Sequence, residues 1–447
     1  MIALAKEDST SKVVSFMPHV KMAASTSLLV DDGRIFKPAQ PSSLDELGIA
    51  PGLVGDLALK AMAFAPNSTA AEIGTRLHLG LMITDAVLQK LTRDKFIEIK
   101  GVVGAHNHRY AMLERGWTEA ARINSSNSYV GPTPVSLEAY SEKLTGQVQA
   151  RLPTARSQLD QAMDDLVLNE GVKQVLGLVA SSGRSLFLSG PSGNGKTAIA
   201  RSLVNAIDGD LWIPYAIEVD GQIIRLYDQH THQATRITET DYDRRWVKIK
   251  PPLVVVGGEL TIESMELANS PAHRYYEAPF QLKSNGGVLV IDDLGRQRCS
   301  PEALLNRWII PLENRIDYLT LNTGKKIQVP FEQVIVFATN LTVSDLADEA
   351  FLRRMGYRIH VMAPSPETYA DIFIRYARRH GLTVEPSLLA HLEIRYGKEN
   401  REPKACEPRD IIDRAIEVCR YNREKLCLSK EIVDIAWDGY FGAVASG

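Results

Sequence analysis

Gly190-Pro191-Ser192-Gly193-Asn194-Gly195-Lys196-Thr197 is the stretch whose reading decides the fold. It has the spacing G-x-x-x-x-G-K-[ST], and its flanks suit it: 185–189 (SLFLS) reads as a buried strand and 198–206 as a helix. Glycines at 190, 193 and 195 let the backbone wrap an anion without side-chain clashes. The loop amides, Asn194 among them, and the helix dipole present positive potential to phosphate. Lys196 is placed to reach the β- and γ-phosphates, and Thr197 to put a hydroxyl on Mg²⁺. The expectation is a chain that binds a nucleoside triphosphate.

Two further apolar runs end in polar groups. Gly286-Gly-Val-Leu-Val-Ile-Asp292-Asp293 reads as a buried strand carrying two carboxylates at its C-terminal edge, where open α/β sheets bind ligands. Asp292 is expected to hold the Mg²⁺ shell through water, and Asp293 to orient or deprotonate an attacking water. Val334-Ile-Val-Phe-Ala-Thr-Asn340 ends in an amide suited to positioning that water. Arg353-Arg354 and Pro408-Arg409-Asp410 follow.

In this order the motifs resemble those of the AAA+ ATPases, over roughly residues 150–445. The resemblance implies an α/β P-loop core with a parallel sheet and a C-terminal helical lid. It implies Walker A at 190–197, Walker B at 288–293, sensor 1 at Asn340, an arginine finger at Arg353 or Arg354, and sensor 2 at Arg409. The finger would act on nucleotide held by a neighbouring subunit, so ATP and Mg²⁺ are the expected cofactors and a ring, a hexamer first, the expected assembly. An arginine so placed is worth ~10³–10⁵ in rate. One position departs from the family, which usually has Asp-Glu where this chain has Asp292-Asp293. A carboxylate drawn back by one methylene points to a slow or substrate-stimulated ATPase, since a misplacement near 1 Å can cost ~10²-fold.

The rest of the chain divides by texture. Residues 1–50 read as an extended arm, 51–123 as a winged-helix-like domain, 124–136 as a linker, 137–363 as the ATPase core and 364–447 as the lid. The second domain rests on three helix patterns (one opened by a capping box at Thr69 and Glu72) and two β-like segments. Residues 316–333 alternate around Asn322-Thr-Gly324 and read as a hairpin before sensor 1. That insertion resembles a superclade containing MoxR-type chaperones, RuvB-like motors and sigma-factor activators, although the Gly-Ala-Phe-Thr-Gly-Ala loop of the activators is absent. Tyr275 and Tyr276 are candidates to grip an extended polypeptide in a central pore; Arg274 and Lys283 would instead face nucleic acid.

Composition narrows the function classes. The 447 residues are 45% hydrophobic and 23% charged with net charge −3, which gives no global signal for nucleic acid or membrane. No run approaches the ~18 apolar residues of a membrane span, and no leader pattern opens the chain, so a cytoplasmic protein without membrane insertion is expected. The four cysteines lack metal-ligand spacing. Residues 56–122 hold nine Lys/Arg against seven Asp/Glu, a weak basic excess. Two readings stay open: a remodeller of a protein client or adaptor, and a DNA-associated motor or regulator binding through residues 82–109.

Overall fold

The capping box expected at Thr69 forms: its hydroxyl accepts the Glu72 N–H at 3.2 Å, and the Glu72 carboxylate accepts the Thr69 N–H at 2.7 Å. It opens the second of three helices, α1 (Pro51–Phe64), α2 (Ala70–Leu77) and α3 (Leu81–Arg93). The antiparallel pair β1 (Ile97–Gly104) and β2 (Asn107–Met112) follows, then α4 (Glu114–Ser126). The computed structural model describes residues 36–104, 106–269, 274–341, 351 and 353–442; residues 1–35 of the expected arm lie outside the described residues.

Leu57, Ala61, Ile73, Leu88, Ile97 and Tyr110 fill the core of this first module. Asp85 points into it, accepting from the Tyr110 hydroxyl at 3.3 Å and from Gln89 at 2.9 Å, with His106 Nδ1 at 3.1 Å. Its charge is therefore turned away from the outer face of α3, where Met82, Ala86, Lys90 and Arg93 are exposed. Ala216 and Ile223 from later in the chain share the same core, and Tyr275 packs against it. Residues read as arm and linker take part as well. Leu47 and Ile49 are buried, as are Tyr129, Thr133 and Val135. Arg245, itself buried, ties these segments together. Its guanidinium pairs with Asp243 at 2.8 Å and donates to the carbonyls of Leu47 at 2.9 Å and Pro134 at 3.3 Å.

The chain then runs through β3 (Val135–Ser136), α5 (Leu137–Gln149), α6 (Arg156–Ala162) and α7 (Glu170–Ser182). It enters β4 (Leu186–Ser189), the glycine-rich loop and α8 (Lys196–Ser202). An insertion holds β5 (Leu211–Pro214), β6 (Ala216–Val219), β7 (Gln222–Arg225) and β8 (Trp246–Ile249). The expected Asp-Gly hairpin joins β6 to β7, with Asp220 and Gly221 at φ 51° and 75°, the double positive turn that suits strand twist. After β9 (Leu253–Val256), β10 (Ala268–Asn269) and β11 (Tyr276–Glu277) come α9 (Phe280–Lys283), β12 (Val288–Ile291) and α10 (Pro301–Asn314). The anticipated hairpin at 316–333 forms as β13 (Ile316–Thr320) and β14 (Lys326–Pro330); β15 (Val334–Ala338) and β16 (Tyr357–His360) complete the strands.

The central sheet is parallel throughout, in the order β16-β4-β15-β12-β9. Alternate residues serve opposite cores. Leu186, Leu188, Val288, Val290 and Val336 meet Leu176, Ile199 and Leu203 on one face; Phe187, Leu289, Ile291 and Phe337 meet Leu304 and Trp308 on the other. Burial on both faces is why these strands read as unbroken apolar runs. A second, mixed sheet, β10-β11-β7-β6-β3, joins the first module to this core. The helices α11 (Pro366–Arg379), α12 (Pro386–Lys398), α13 (Glu407–Asn422) and α14 (Lys430–Phe441) close on their own core around Phe373, Leu392, Ile412 and Trp437. No helix among the described residues is long and apolar enough to cross a membrane.

The pore expectation is corrected here. Tyr276 is buried, pairs with β7 in the second sheet and accepts the Asn322 N–H on its hydroxyl at 2.8 Å. Tyr275 packs edge-on to Tyr129 with the Arg225 guanidinium over its ring. Lys283 is held by Asp228 at 2.7 Å. Burial and pairing occupy all three side chains within the subunit.

Arg245→Ala leaves Asp243 buried and unpaired and frees two buried carbonyls. A loss of stability of about 3–5 kcal/mol is expected in denaturant titrations, whereas Arg225→Ala, at a half-exposed ion pair with Glu277, should cost about 1 kcal/mol or less.

Candidate nucleotide-binding site

Strand order brings the distant motifs together. The loop leaves the C-terminal end of β4, Asn340 follows β15 and Asp292 follows β12, and these strands are adjacent in the sheet. Their polar ends therefore gather on one edge, where parallel sheets bind ligands. The decisive contact is between the two motifs: Thr197 Oγ1 donates to Asp292 Oδ2 at 2.9 Å.

Backbone shape explains the glycines. Gly190 has φ 132°, and a Cβ there would lie 2.2 Å from the Val361 carbonyl oxygen at the end of β16. Gly193 has φ 87°, and a Cβ would meet Cys406 Sγ at 3.0 Å and Lys404 Cδ at 3.2 Å. The first glycine thus admits the neighbouring strand and the second admits the helical domain. Lys196 folds onto its own loop, donating to the carbonyls of Gly190 at 2.8 Å and Pro191 at 2.9 Å. Burial pushes its pKa below the usual lysine range, and Asp293 and Asp292 pull it back up.

The acidic turn is built with equal care. Asp293 is exposed with φ 50°, and its N–H donates to Asp292 Oδ1 at 3.0 Å. Gln297 clasps the turn, its Nε2 donating to the carbonyls of Asp292 at 2.9 Å and Asp293 at 3.1 Å while its Oε1 accepts the Gly295 N–H at 2.7 Å. Thr339 links that turn to the sheet, its hydroxyl donating to the Leu294 carbonyl at 2.8 Å and its N–H to the Leu188 carbonyl at 2.9 Å. Beside it Asn340 Oδ1 is buried and has no hydrogen-bond partner among the described residues.

Two of the expected site residues lie elsewhere, and a third is turned to a neighbour of its own. Arg353 and Arg354 precede β16, whose first residue Tyr357 pairs with Leu186 at the start of β4. The phosphate loop follows the other end of β4, so the two arginines stand one strand length away, roughly 13 Å along the sheet. Arg354 pairs with Glu313 at the end of α10, and Arg353 is exposed. Arg409 donates to Asp410 at 2.8–2.9 Å and is 59% exposed; that bond raises its pKa further.

Two groups escaped sequence reasoning. Gln297 lies four residues past Asp293 in a polar loop, with only its amide to hint at a turn clasp. The segment before Pro408 is the second: Cys406 N–H donates to the Gly193 carbonyl at 2.9 Å, and Ala405 N–H to Asn194 Oδ1 at 3.2 Å. Asn194 is buried, and its Nδ2 has no partner among the described residues.

The fold is an α/β core with a five-stranded parallel sheet, a glycine-rich loop after β4 and a helical domain after β16. A family model described as a domain of unknown function, DUF8689, matches residues 365–439, within that helical domain. No curated protein matches the chain. Among solved structures it is similar to NtrX from Brucella abortus in complex with ATP, with 16% identity and TM-score 0.38 over 61% of this chain and 54% of that one. The ADP complex of NtrX has 15% identity and TM-score 0.38 over 71% and 65%. RuvB from Thermotoga maritima, described as a Holliday junction branch migration motor, has 14% identity and TM-score 0.34 over 61% and 70%. The chain spans about half the length of the ATP-bound NtrX chain that it matches.

Gly190→Ala should abolish binding of a fluorescent ATP analogue, because the methyl group collides with a strand backbone and the φ is foreign to alanine, a strain of about 1–3 kcal/mol before the collision is counted. Ser192→Ala, at an exposed loop position, should leave binding within about twofold.

Proposed function

We propose that this chain is an AAA+ ATPase that assembles into a ring and couples ATP binding and hydrolysis to remodelling of a protein client or complex. The observation that carries the ATPase reading is the Thr197–Asp292 hydrogen bond beneath a glycine loop of positive φ. It sets a hydroxyl and a carboxylate side by side, an oxygen pair suited to a hard cation. Thr197 and Asp292, the latter through water, are the residues to hold Mg²⁺, which when bound would neutralise charge on the β- and γ-phosphates.

The remaining roles follow from position. Lys196 exchanges its two loop carbonyls for phosphate oxygens. Asp293 takes the proton of a water whose oxygen attacks the γ-phosphorus, as the bond to the bridging oxygen breaks to leave ADP and phosphate. Asn340 offers that water its amide oxygen, which has no hydrogen-bond partner among the described residues. Arg353 or Arg354, a strand length from its own loop, is better placed for a neighbour's nucleotide, which supports the ring. Arg409 reads the phosphate from the lid after leaving Asp410.

The first module reads as a winged helix with β1 and β2 as its wing. Ile99, Val102 and Val103 on the wing are 48%, 74% and 57% exposed. An apolar wing favours a protein surface over a phosphate backbone. The DNA-associated reading keeps one observation of its own. With Asp85 turned inward, the outer face of α3 presents Lys90 and Arg93.

Steady-state hydrolysis with Mg²⁺ tests the reading. The wild type should turn over ATP slowly; Lys196→Ala should lose binding, and Asp293→Asn should keep binding while turnover falls about 10²-fold or more. Hydrolysis unchanged in Asp293→Asn would reject its role. A Val102→Lys/Val103→Lys variant should lose stimulation by a protein client; a gain in salt-sensitive DNA binding alone, with stimulation intact, would favour the DNA reading.

A further inference from the structure

The lid presents two basic side chains near its first contact with the loop, and only one of them lies along it. Arg409 is drawn aside by Asp410, whose other oxygen accepts from the Tyr440 hydroxyl at 3.2 Å. Lys404 lies across Gly193: its Cβ and Cδ would stand 3.5 and 3.2 Å from a Cβ at that glycine. Its backbone is fixed there. The Lys404 N–H donates at 2.7 Å to Glu407, a buried carboxylate that also accepts from the Tyr396 hydroxyl at 2.6 Å. The next two residues bind the loop directly, through Ala405 N–H to Asn194 and Cys406 N–H to Gly193. The Lys404 ammonium, two bonds beyond Cδ, is exposed, and no hydrogen bond or ion pair holds it among the described residues.

From this arrangement we propose that Lys404 is a lid-borne cation for the polyphosphate of the bound nucleotide, acting with Lys196 from the opposite side of the loop. The inference rests on the ATP-binding reading and adds a residue to it. With its stem packed on the loop at Gly193, the ammonium stays within reach of an anion bound there. The contact also couples binding to lid position: the charged residue adjoins the two whose N–H groups dock the lid, so a polyphosphate in the loop favours the docked lid. A glycine is required at 193 because the lysine stem and the Cys406 thiol occupy the space of a side chain.

Titration of the full chain with ATP, ADP and adenosine, at low and moderate salt, tests this assignment. Lys404→Met keeps most of the stem and removes the charge. It should weaken ATP and ADP by about tenfold or more, leave adenosine unchanged and flatten the salt dependence; Lys404→Arg should restore affinity. ATP affinity within twofold of wild type in Lys404→Met would overturn the assignment. So would an equal loss for adenosine, which would mark a merely structural part in lid docking. A wild type that binds neither ATP nor ADP would overturn the ATP-binding reading and this inference together, an outcome distinct from either of those.

Discussion

The site depends on one hydrogen bond, from the Thr197 hydroxyl to the Asp292 carboxylate. It joins residues 95 positions apart in the chain, and the strands that lead to them, β4 and β12, are not neighbours in the sheet. β15 lies between β4 and β12, so the contact exists only if all three parallel strands are in register and their C-terminal ends are level. The two-faced burial of these strands sets that register, because a slip of one residue would exchange the side chains of the two cores. The same register carries Thr339 to the carbonyls of Leu188 and Leu294 and leaves Asn340 between the loop and the acidic turn. Hydrophobic alternation in the sheet is thus what places the polar chemistry at its edge.

Around this edge the subunit is tied more closely than a string of domains would be. The helical domain reaches the loop through backbone N–H groups of Ala405 and Cys406, so a change in loop geometry is felt by α13 directly. The first module shares a hydrophobic core with β6 and β7, and the buried Arg245 binds carbonyls of both flanking segments. The second sheet also receives the hairpin before β15, through the Asn322 N–H on Tyr276 and Lys325 on Asp220. Movement at the nucleotide edge therefore has a covalent and a packed route towards the N-terminal module.

Much of this was legible in the sequence because it is local. The glycine loop, the apolar strands ending at Asp292 and Asn340, the capping box at Thr69 and the Asp-Gly turn at 220–221 each follow from neighbouring residue types. What the sequence left hidden depends on long-range pairing. Tyr276 reads as an exposed aromatic until β11 pairs with β7, about fifty positions earlier, and buries it. Asp85 is buried by contacts with His106 and Tyr110, more than twenty positions later in the chain. The polar, Pro-containing stretch before α1 reads as an arm, yet Leu47 and Ile49 are buried. Lys404 and Gln297 carry no motif, since their places come from the docking of α13 and the shape of a turn.

The proposed nucleotide site is completed by a neighbouring subunit. Imaging the assembled protein with Mg²⁺ and a slowly hydrolysed ATP analogue addresses it most directly. The expected result is a closed ring with nucleotide in the 190–197 loop and a neighbour's Arg353 or Arg354 within hydrogen-bond reach of the γ-phosphate. Monomers holding nucleotide, or a ring whose Arg353 and Arg354 both stay away from every nucleotide, would contradict it.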